Sequence, residues 1–319
     1  MQINIPKISN QVYNQDILDI LINKYAYIGP QWTVYQMEWI NDFYQSFKDH
    51  DKFLIIIYLT KKTLDFYSRN FTKISYESFY SKDAFEIEKF NIIEIASQIN
   101  IPKESARRKI IELEKSGVIL RSKKKIIINR SAFLFIKPIT SIKNMSRFLS
   151  ILSKMLVNEK ILSKPLSSAE IEKVIKDNFS YIWKIYYELQ IPMIVNYKKL
   201  FGDIESFVIY GTCLVNQHYL NSKKINVANV NRNKFIRTTY SNNKMQGLNA
   251  MSISDITGIP RATVVRKLKV LVMQKKITID NKKYYRITGA FVKKLKPLQS
   301  VVLKKLANFS THIYNLAIL

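Results

Sequence analysis

Apolar residues recur at helical spacing in the middle of the chain. Ile92, Ile95, Ala96 and Ile99 fall at positions i, i+3, i+4 and i+7, which predicts a short helix with one buried face. A turn at Asn100-Ile101 follows, and Pro102 then stands where a helix can begin without needing an N–H donor. The second helix would bury Ala106, Ile110 and Leu113 and leave its opposite face free. The pattern therefore predicts two short helices joined by a tight turn.

The same pattern occurs a second time. Residues 249–291 align with residues 91–133 at a constant offset of 158 with no gap, and 12 of the 43 positions are identical. The second turn is Gly258-Ile259, where glycine suits a left-handed backbone as asparagine does in the first copy. Pro260 then begins a helix that would bury Val264, Leu268 and Leu271. Such a match indicates internal duplication.

Short β-like runs follow each pair of helices. In the first copy they are Val118–Arg121 and Lys125–Arg130, joined by Ser122-Lys123-Lys124, and in the second Ile277–Ile279 and Lys283–Thr288, joined by Asp280–Lys282. A hairpin with a lysine-rich tip after a helix-turn-helix is typical of a wing. The predicted fold class is mainly α with short β-hairpin wings, as two tandem winged-helix domains related by internal duplication.

The rest of the chain predicts helices around each repeated segment. We expect an N-terminal extension at residues 1–36, a first domain at 37–160 and a second at 161–319. The extension would hold a helix at Gln15–Tyr25 that is broken at Gly29-Pro30. The flanking helices are predicted at Met37–Phe47, Lys52–Arg69, Ile142–Asn158, Tyr181–Leu189, Ile204–Leu220 and Phe291–Asn308.

The charge of the chain favours a polyanionic partner. The formal net charge is +27, and residues 161–319 carry +18 of it. From Arg261 to Lys305 there are 14 basic residues and one acid, Asp280. Solvated surfaces usually interleave the two signs, so this stretch resembles a phosphate footprint. We expect double-stranded, AT-rich DNA as the partner, because lysine-rich wing tips suit the narrow minor groove of AT tracts.

Other classes of protein find little support. The three histidines lie on separate segments, and the chain lacks the HExxH, GxSxG and P-loop motifs and any paired-cysteine spacing, so we expect no enzyme, no cofactor and no metal site. The single Cys213 excludes an internal disulfide. The strongest apolar run, Phe53 to Leu59, is far shorter than the ~20 residues of a membrane span. With no secretion signal, the expected location is the cytoplasm, in association with the nucleoid.

The candidate DNA-binding residues lie on the two second helices and the two wing tips. A recognition helix presents its first residues to base edges, while nearby basic groups bind phosphates. The candidates in the first copy are Lys103, Glu104, Ser105, Arg107, Arg108, Lys123, Lys124 and Lys125. Those in the second copy are Arg261, Ala262, Thr263, Val265, Arg266, Lys269, Lys282 and Lys283. Because the two sets differ, the half-sites should differ: Glu104 can accept from cytosine, whereas Ala262 and the Thr263 methyl suit thymine.

These motifs resemble a known superfamily. The stretch ASQINIPKESARRKIIELEKSGVILRSKKKIIINR, within Ile95–Phe133, resembles the DNA-binding lobe of the multiple-antibiotic-resistance regulator (MarR) type. GIPRATVVRKLKVL at Gly258–Leu271 is similar to the helix-turn-helix of bacterial winged-helix repressors, including the isocitrate-lyase-regulator type. The resemblance implies a fused dimer, with a pseudo-twofold axis relating residues 37–160 to 181–319. Neither wing carries the acidic-Arg signature of the MarR type, and Lys109 and Lys267 occupy a position that is usually apolar.

The leading hypothesis is a double-stranded-DNA-binding transcription regulator with two winged helices in one chain. The alternatives are a plasmid-type replication initiator, also with tandem winged helices, and a nucleoid architectural protein that coats AT-rich DNA. A further alternative is a scaffold whose winged helices bind proteins. A second copy of the chain and RNA polymerase are the additional partners considered.

Overall fold

The described part of the chain is mainly helical. The computed structural model describes residues 11–87, 91–122, 125–129, 137–222, 230–241 and 246–318. Within them the first seven helices are α1 (Asn14–Asn23), α2 (Tyr25–Phe47), α3 (His50–Arg69), α4 (Tyr76–Tyr80), α5 (Ile92–Gln98), α6 (Lys103–Lys115) and α7 (Ile139–Asn158). The other seven are α8 (Ser168–Asp177), α9 (Phe179–Phe201), α10 (Ile204–Ser222), α11 (Arg232–Ser241), α12 (Ala250–Thr257), α13 (Arg261–Met273) and α14 (Gly289–Ala317). The mainly helical class is confirmed.

Two small antiparallel sheets complete the described fold. Strands β1 (Ala84–Ile87), β2 (Ile119–Ser122) and β3 (Lys125–Asn129) form the first in the order β1-β3-β2, with Ile119 opposite Ile128. Strands β4 (Ile277–Ile279) and β5 (Tyr285–Ile287) form the second. Both predicted hairpins are present. Strand β1 was not predicted, although its alternation places Phe85 and Ile87 in the core.

Polar caps explain where several helices begin. The Asp49 carboxylate accepts from the backbone N–H groups of Asp51 and Lys52 at the start of α3. Asn91 and Asn249 cap α5 and α12 in the same manner. Each cap gives a partner to an N–H that the helix itself cannot satisfy, which is worth ~1 kcal/mol.

The N-terminal region differs from the prediction. Helix α2 runs unbroken through Gly29-Pro30, where the sequence predicted a break. Ile28 and Trp32, on either side of the proline, are both buried, and this packing outweighs the backbone hydrogen bond that Pro30 cannot donate. The Thr33 hydroxyl donates to the Gly29 carbonyl at 2.9 Å. Residues 14–36 thus belong to the folded core.

Helices from the two ends of the chain pack into one core. Helix α3 packs against α9, and α10 packs against α2. At the periphery α1 packs against α14, and α7 packs against α8. The largest fully buried side chains of this core are aromatic: Trp39, Trp183, Tyr186, Tyr210 and Tyr314. The sequences before and after residue 160 therefore share a continuous hydrophobic interior.

The element order of α1–α7 recurs in α8–α14. Helices α1 and α8 have 10 residues each, α2 and α9 have 23, and α6 and α13 have 13. Helices α3 and α10 have 20 and 19 residues. We call α1–α7 (residues 14–158) the first half and α8–α14 (residues 168–317) the second half.

Candidate nucleic-acid interface

Helix α6 presents the predicted polar face to solvent. Asn100 takes the left-handed conformation (φ 53°) in the turn after α5, and α6 begins directly after Pro102. The helix buries Ala106, Ile110 and Leu113, as its apolar spacing predicts. Four candidate residues are exposed, Lys103, Glu104, Arg107 and Arg108, and Ser105 is half-buried.

Helix α13 repeats this arrangement. Gly258 is left-handed (φ 69°), Pro260 precedes the helix, and Val264, Leu268 and Leu271 are buried. The exposed candidates are Arg261, Ala262, Arg266 and Lys269, while Thr263 and Val265 are half-buried. Each half therefore offers one solvent-facing helix of 13 residues with a basic residue, Lys103 or Arg261, at its start and an exposed arginine, Arg108 or Arg266, in its middle.

One lysine of each helix forms an ion pair with an aspartate at the start of a neighbouring helix. Lys109 of α6 forms an ion pair with Asp49, the cap of α3, and Lys267 of α13 places Nζ 2.5 Å from Asp203 Oδ2, just before α10. Each lysine is directed at an aspartate next to a neighbouring helix, which accounts for the basic residue at this position of α6 and α13. Burial raises the pKa of Asp49, but the hydrogen bond and charge of Lys109 outweigh it and lower that pKa below its usual value.

The exposed charges of the two helices differ. In α6, Arg107 Nε lies 2.8 Å from Glu104 Oε2, and Arg108 Nε lies 3.8 Å from Glu112 Oε1. Helix α13 contains no acidic residue. Its Arg261, Arg266 and Lys269 face solvent without carboxylates on the same helix, whereas Arg107 and Arg108 of α6 are partly neutralised. The exposed face of α13 is therefore more positively charged than that of α6.

The hairpins bring further lysines beside these helices. In the second sheet Lys282 and Lys283 are exposed in the turn between β4 and β5, where Asp280 accepts from the backbone N–H groups of Lys282 and Tyr284. In the first, Lys125 is exposed and forms an ion pair with Glu86 of β1. The candidates Lys123 and Lys124 lie outside the described residues.

The three histidines lie on three different helices and have different partners. His50 contacts Glu205, His218 contacts the Tyr240 hydroxyl, and His312 contacts the Tyr181 hydroxyl. Across the described residues, His, Cys, Asp and Glu side chains form no group of three or more that could bind a metal ion. None of the helices in the described ranges combines the length and apolar character needed to cross a bilayer.

The sequence did not predict the residues that pair with α6 and α13. Asp49 and Asp203 each stand directly before a long apolar helix, which is the usual signal of a helix cap. That signal gives no hint of the lysine partner 60 or 64 residues away. Gln45 of α2 was also missed; its Nε2 donates to the Thr257 carbonyl at 3.3 Å, next to the turn between α12 and α13.

Comparisons with known proteins add no relative: no family model, no curated protein and no solved structure matches this chain. The chemistry of the surface follows from its exposed groups. Arginine and lysine side chains at a helix start can hold phosphates, and arginine can donate two parallel hydrogen bonds to a guanine edge. The surface offers two such groups of side chains, one on each half.

Proposed function

We propose that the protein is a transcription regulator that binds double-stranded DNA through α6 and α13. The observation that carries this proposal is the paired arrangement of the two helices. Each follows a left-handed turn, buries three apolar residues at the same spacing, and turns its basic face to solvent. A helix in this setting fits the major groove, and the lysine-bearing hairpin beside it acts as a wing on the adjacent backbone.

The matching halves support an origin by internal duplication of a winged-helix unit. The unit we propose begins at α1, earlier than residue 37, because α1–α3 correspond in order and length to α8–α10. The contacts are reciprocal as well. The packing of α3 on α9 corresponds to that of α10 on α2, and the packing of α1 on α14 corresponds to that of α8 on α7. Such reciprocity is what a twofold axis between the halves would produce. The chain then acts as a dimer within a single polypeptide.

Covalent linkage has a consequence for binding. Once one half is bound, the other half binds at a high effective concentration. Covalent linkage also allows the two proposed recognition helices to differ in sequence, as they do at Glu104 and Ala262. The expected target is therefore an imperfect palindrome whose half-sites lie about one helical turn apart.

Selection of binding sites from a random duplex library, followed by footprinting, tests the proposal. One chain should protect two half-sites on one face of the duplex. Arg261→Ala and Thr263→Ala should each weaken binding to the selected site by about 1–3 kcal/mol and binding to random DNA much less. Arg147→Ala is the control, because this exposed arginine lies on α7 and belongs to neither α6 nor α13.

Three outcomes would contradict the proposal. Equal losses on selected and random DNA would favour an architectural protein that recognises charge and groove shape. Two chains on each palindrome would contradict the single-polypeptide dimer. A selected site found only at one origin of replication would point to an initiator.

A further inference from the structure

Charged side chains meet where the first turns of α3 and α10 approach each other. His50 Nδ1 lies 3.2 Å from Glu205 Oε1, and Lys198 Nζ lies 2.6 Å from Asp51 Oδ1. Both contacts join the first half to the second half. We call the following set the junction: Asp49, His50, Asp51, Lys109, Lys198, Asp203, Glu205 and Lys267.

The junction also holds the two proposed reading helices. Lys109 of α6 is paired with Asp49, and Lys267 of α13 is paired with Asp203. Asp49 precedes His50 in the chain, and Asp203 stands two residues before Glu205. A continuous path therefore leads from α6 to the start of α3, across the His50–Glu205 contact, and through the start of α10 to α13.

The junction combines buried and half-buried side chains. Those of His50, Lys198 and Lys109 are 3%, 10% and 12% exposed, whereas those of Glu205 and Asp203 are 30% and 34% exposed. Asp49 and Asp203 also accept backbone N–H groups of the helices that follow them. Burial raises the pKa of Glu205, but the hydrogen bond and charge of His50 outweigh it and hold that pKa at about 2. The carboxylate is thus ionised at neutral pH.

We infer that the junction fixes the distance and rotation between α6 and α13, and so sets the half-site spacing that the protein accepts. Its members are positioning residues that need not touch DNA. The specificity part of this inference rests on the proposed function, whereas the effect on helix separation does not. Removing one member of a half-buried pair leaves the other without its partner, so the attached helix should change its orientation more freely.

Double electron–electron resonance on the DNA-free protein, which measures the distance between two spin labels, tests whether the junction fixes the separation of α6 and α13. Spin labels go at Lys115→Cys and Met273→Cys, matching exposed positions at the ends of α6 and α13. The native Cys213 stays unlabelled, because burial raises the pKa of its thiol to about 12. Unaltered, the junction should give one narrow distance distribution. Glu205→Gln and Lys267→Met should each widen it at least twofold.

Two further variants separate positioning from simple damage. Asp203→Asn keeps a side chain that can cap α10 but removes the charge that pairs with Lys267, and it should widen the distribution even if Glu205→Gln fails to fold. Lys61→Met is the matched control, since Lys61 pairs with Asp65 within α3, 2.7 Å apart, and should leave the width unchanged. A narrow distribution in folded Asp203→Asn and Lys267→Met proteins would overturn the inference.

Binding to duplexes tests the consequence for DNA. The selected half-sites are separated by one additional base pair at a time. The unaltered protein should lose at least tenfold in affinity for each wrong spacing, and Lys267→Met should lose at most threefold. Equal discrimination by both proteins would overturn the inference. If the unaltered protein binds no duplex, the proposed function fails, and the distance measurement alone decides the role of the junction.

Discussion

The hydroxyl oxygens of Tyr35 and Tyr186 lie 2.5 Å apart at the centre of the protein, where α2 of the first half meets α9 of the second. Both rings are buried, and Trp183 stacks on Tyr186 with ring centroids 4.4 Å apart. Burial raises the pKa of both phenols, so the pair stays neutral at every working pH. The two halves are thus joined through a neutral hydrogen bond inside an aromatic core.

Removing one member of this pair should destabilise the protein. Tyr35→Phe leaves the Tyr186 hydroxyl buried without this partner, which should lower the free energy of unfolding by about 1–3 kcal/mol. The double variant Tyr35→Phe/Tyr186→Phe should cost less than twice that. Urea denaturation measures both, with Tyr27→Phe, on an exposed part of α2, as the control. Additive losses in the double variant would contradict a direct bond between the two hydroxyls.

The turn before α13 should need its glycine. Gly258 has a φ of 69°, so Gly258→Ala should cost about 1–2 kcal/mol through backbone strain. The added Cβ would also approach the Gln45 amide nitrogen to 2.1 Å, and Gln45→Ala in the same chain should recover part of the loss. Asn100→Gly is the matched change at the equivalent turn of the first half, where φ is 53°, and should be close to neutral. Thermal unfolding measures both changes. An equal loss of stability at the two turns would contradict the left-handed conformation of Gly258.

Stability should fall on mild acidification because of His218. Burial lowers the pKa of this imidazole from 6.5 to about 3, so the folded protein resists a proton that the unfolded chain takes up below pH 6.5. The unfolding free energy should then fall by about 1.4 kcal/mol per pH unit from 6.5 towards 4.5 through this residue alone. His218→Gln should show a correspondingly shallower pH dependence. Parallel profiles for the two proteins would contradict the burial of a neutral histidine.

Local features of the fold could be predicted from the sequence because local physics determines them. The spacing of Ile95, Ala106 and Leu113 identifies the buried faces of α5 and α6, and Asn100 and Gly258 mark the left-handed turns. The two hairpins could be predicted because short runs of strand-forming residues lie on either side of a polar turn. In each case residues close in sequence determine the element.

Features that depend on distant contacts were missed or mistaken. Pro30 suggested a helix end, but packing of Ile28 and Trp32 keeps α2 continuous. The inward direction of Lys109 and Lys267 depends on aspartates 60 and 64 residues earlier. Helix α11 and strand β1 were not predicted. Packing against other helices stabilises α11, and pairing with β3 stabilises β1, and the spacing of apolar residues in the sequence reveals neither.

The proposed function requires that α6 and α13 hold a DNA duplex through their exposed basic faces. Fluorescence anisotropy of a labelled duplex across a salt series measures it most directly, because each neutralised phosphate adds about 0.9 to the slope of log affinity against log salt. We predict a steep negative slope, which Arg266→Ala makes shallower by about 1. Arg108→Ala should have a smaller effect because of Glu112, and Arg147→Ala almost none. An affinity that does not change with salt, or equal slopes for all three variants and the unaltered protein, would contradict the claim.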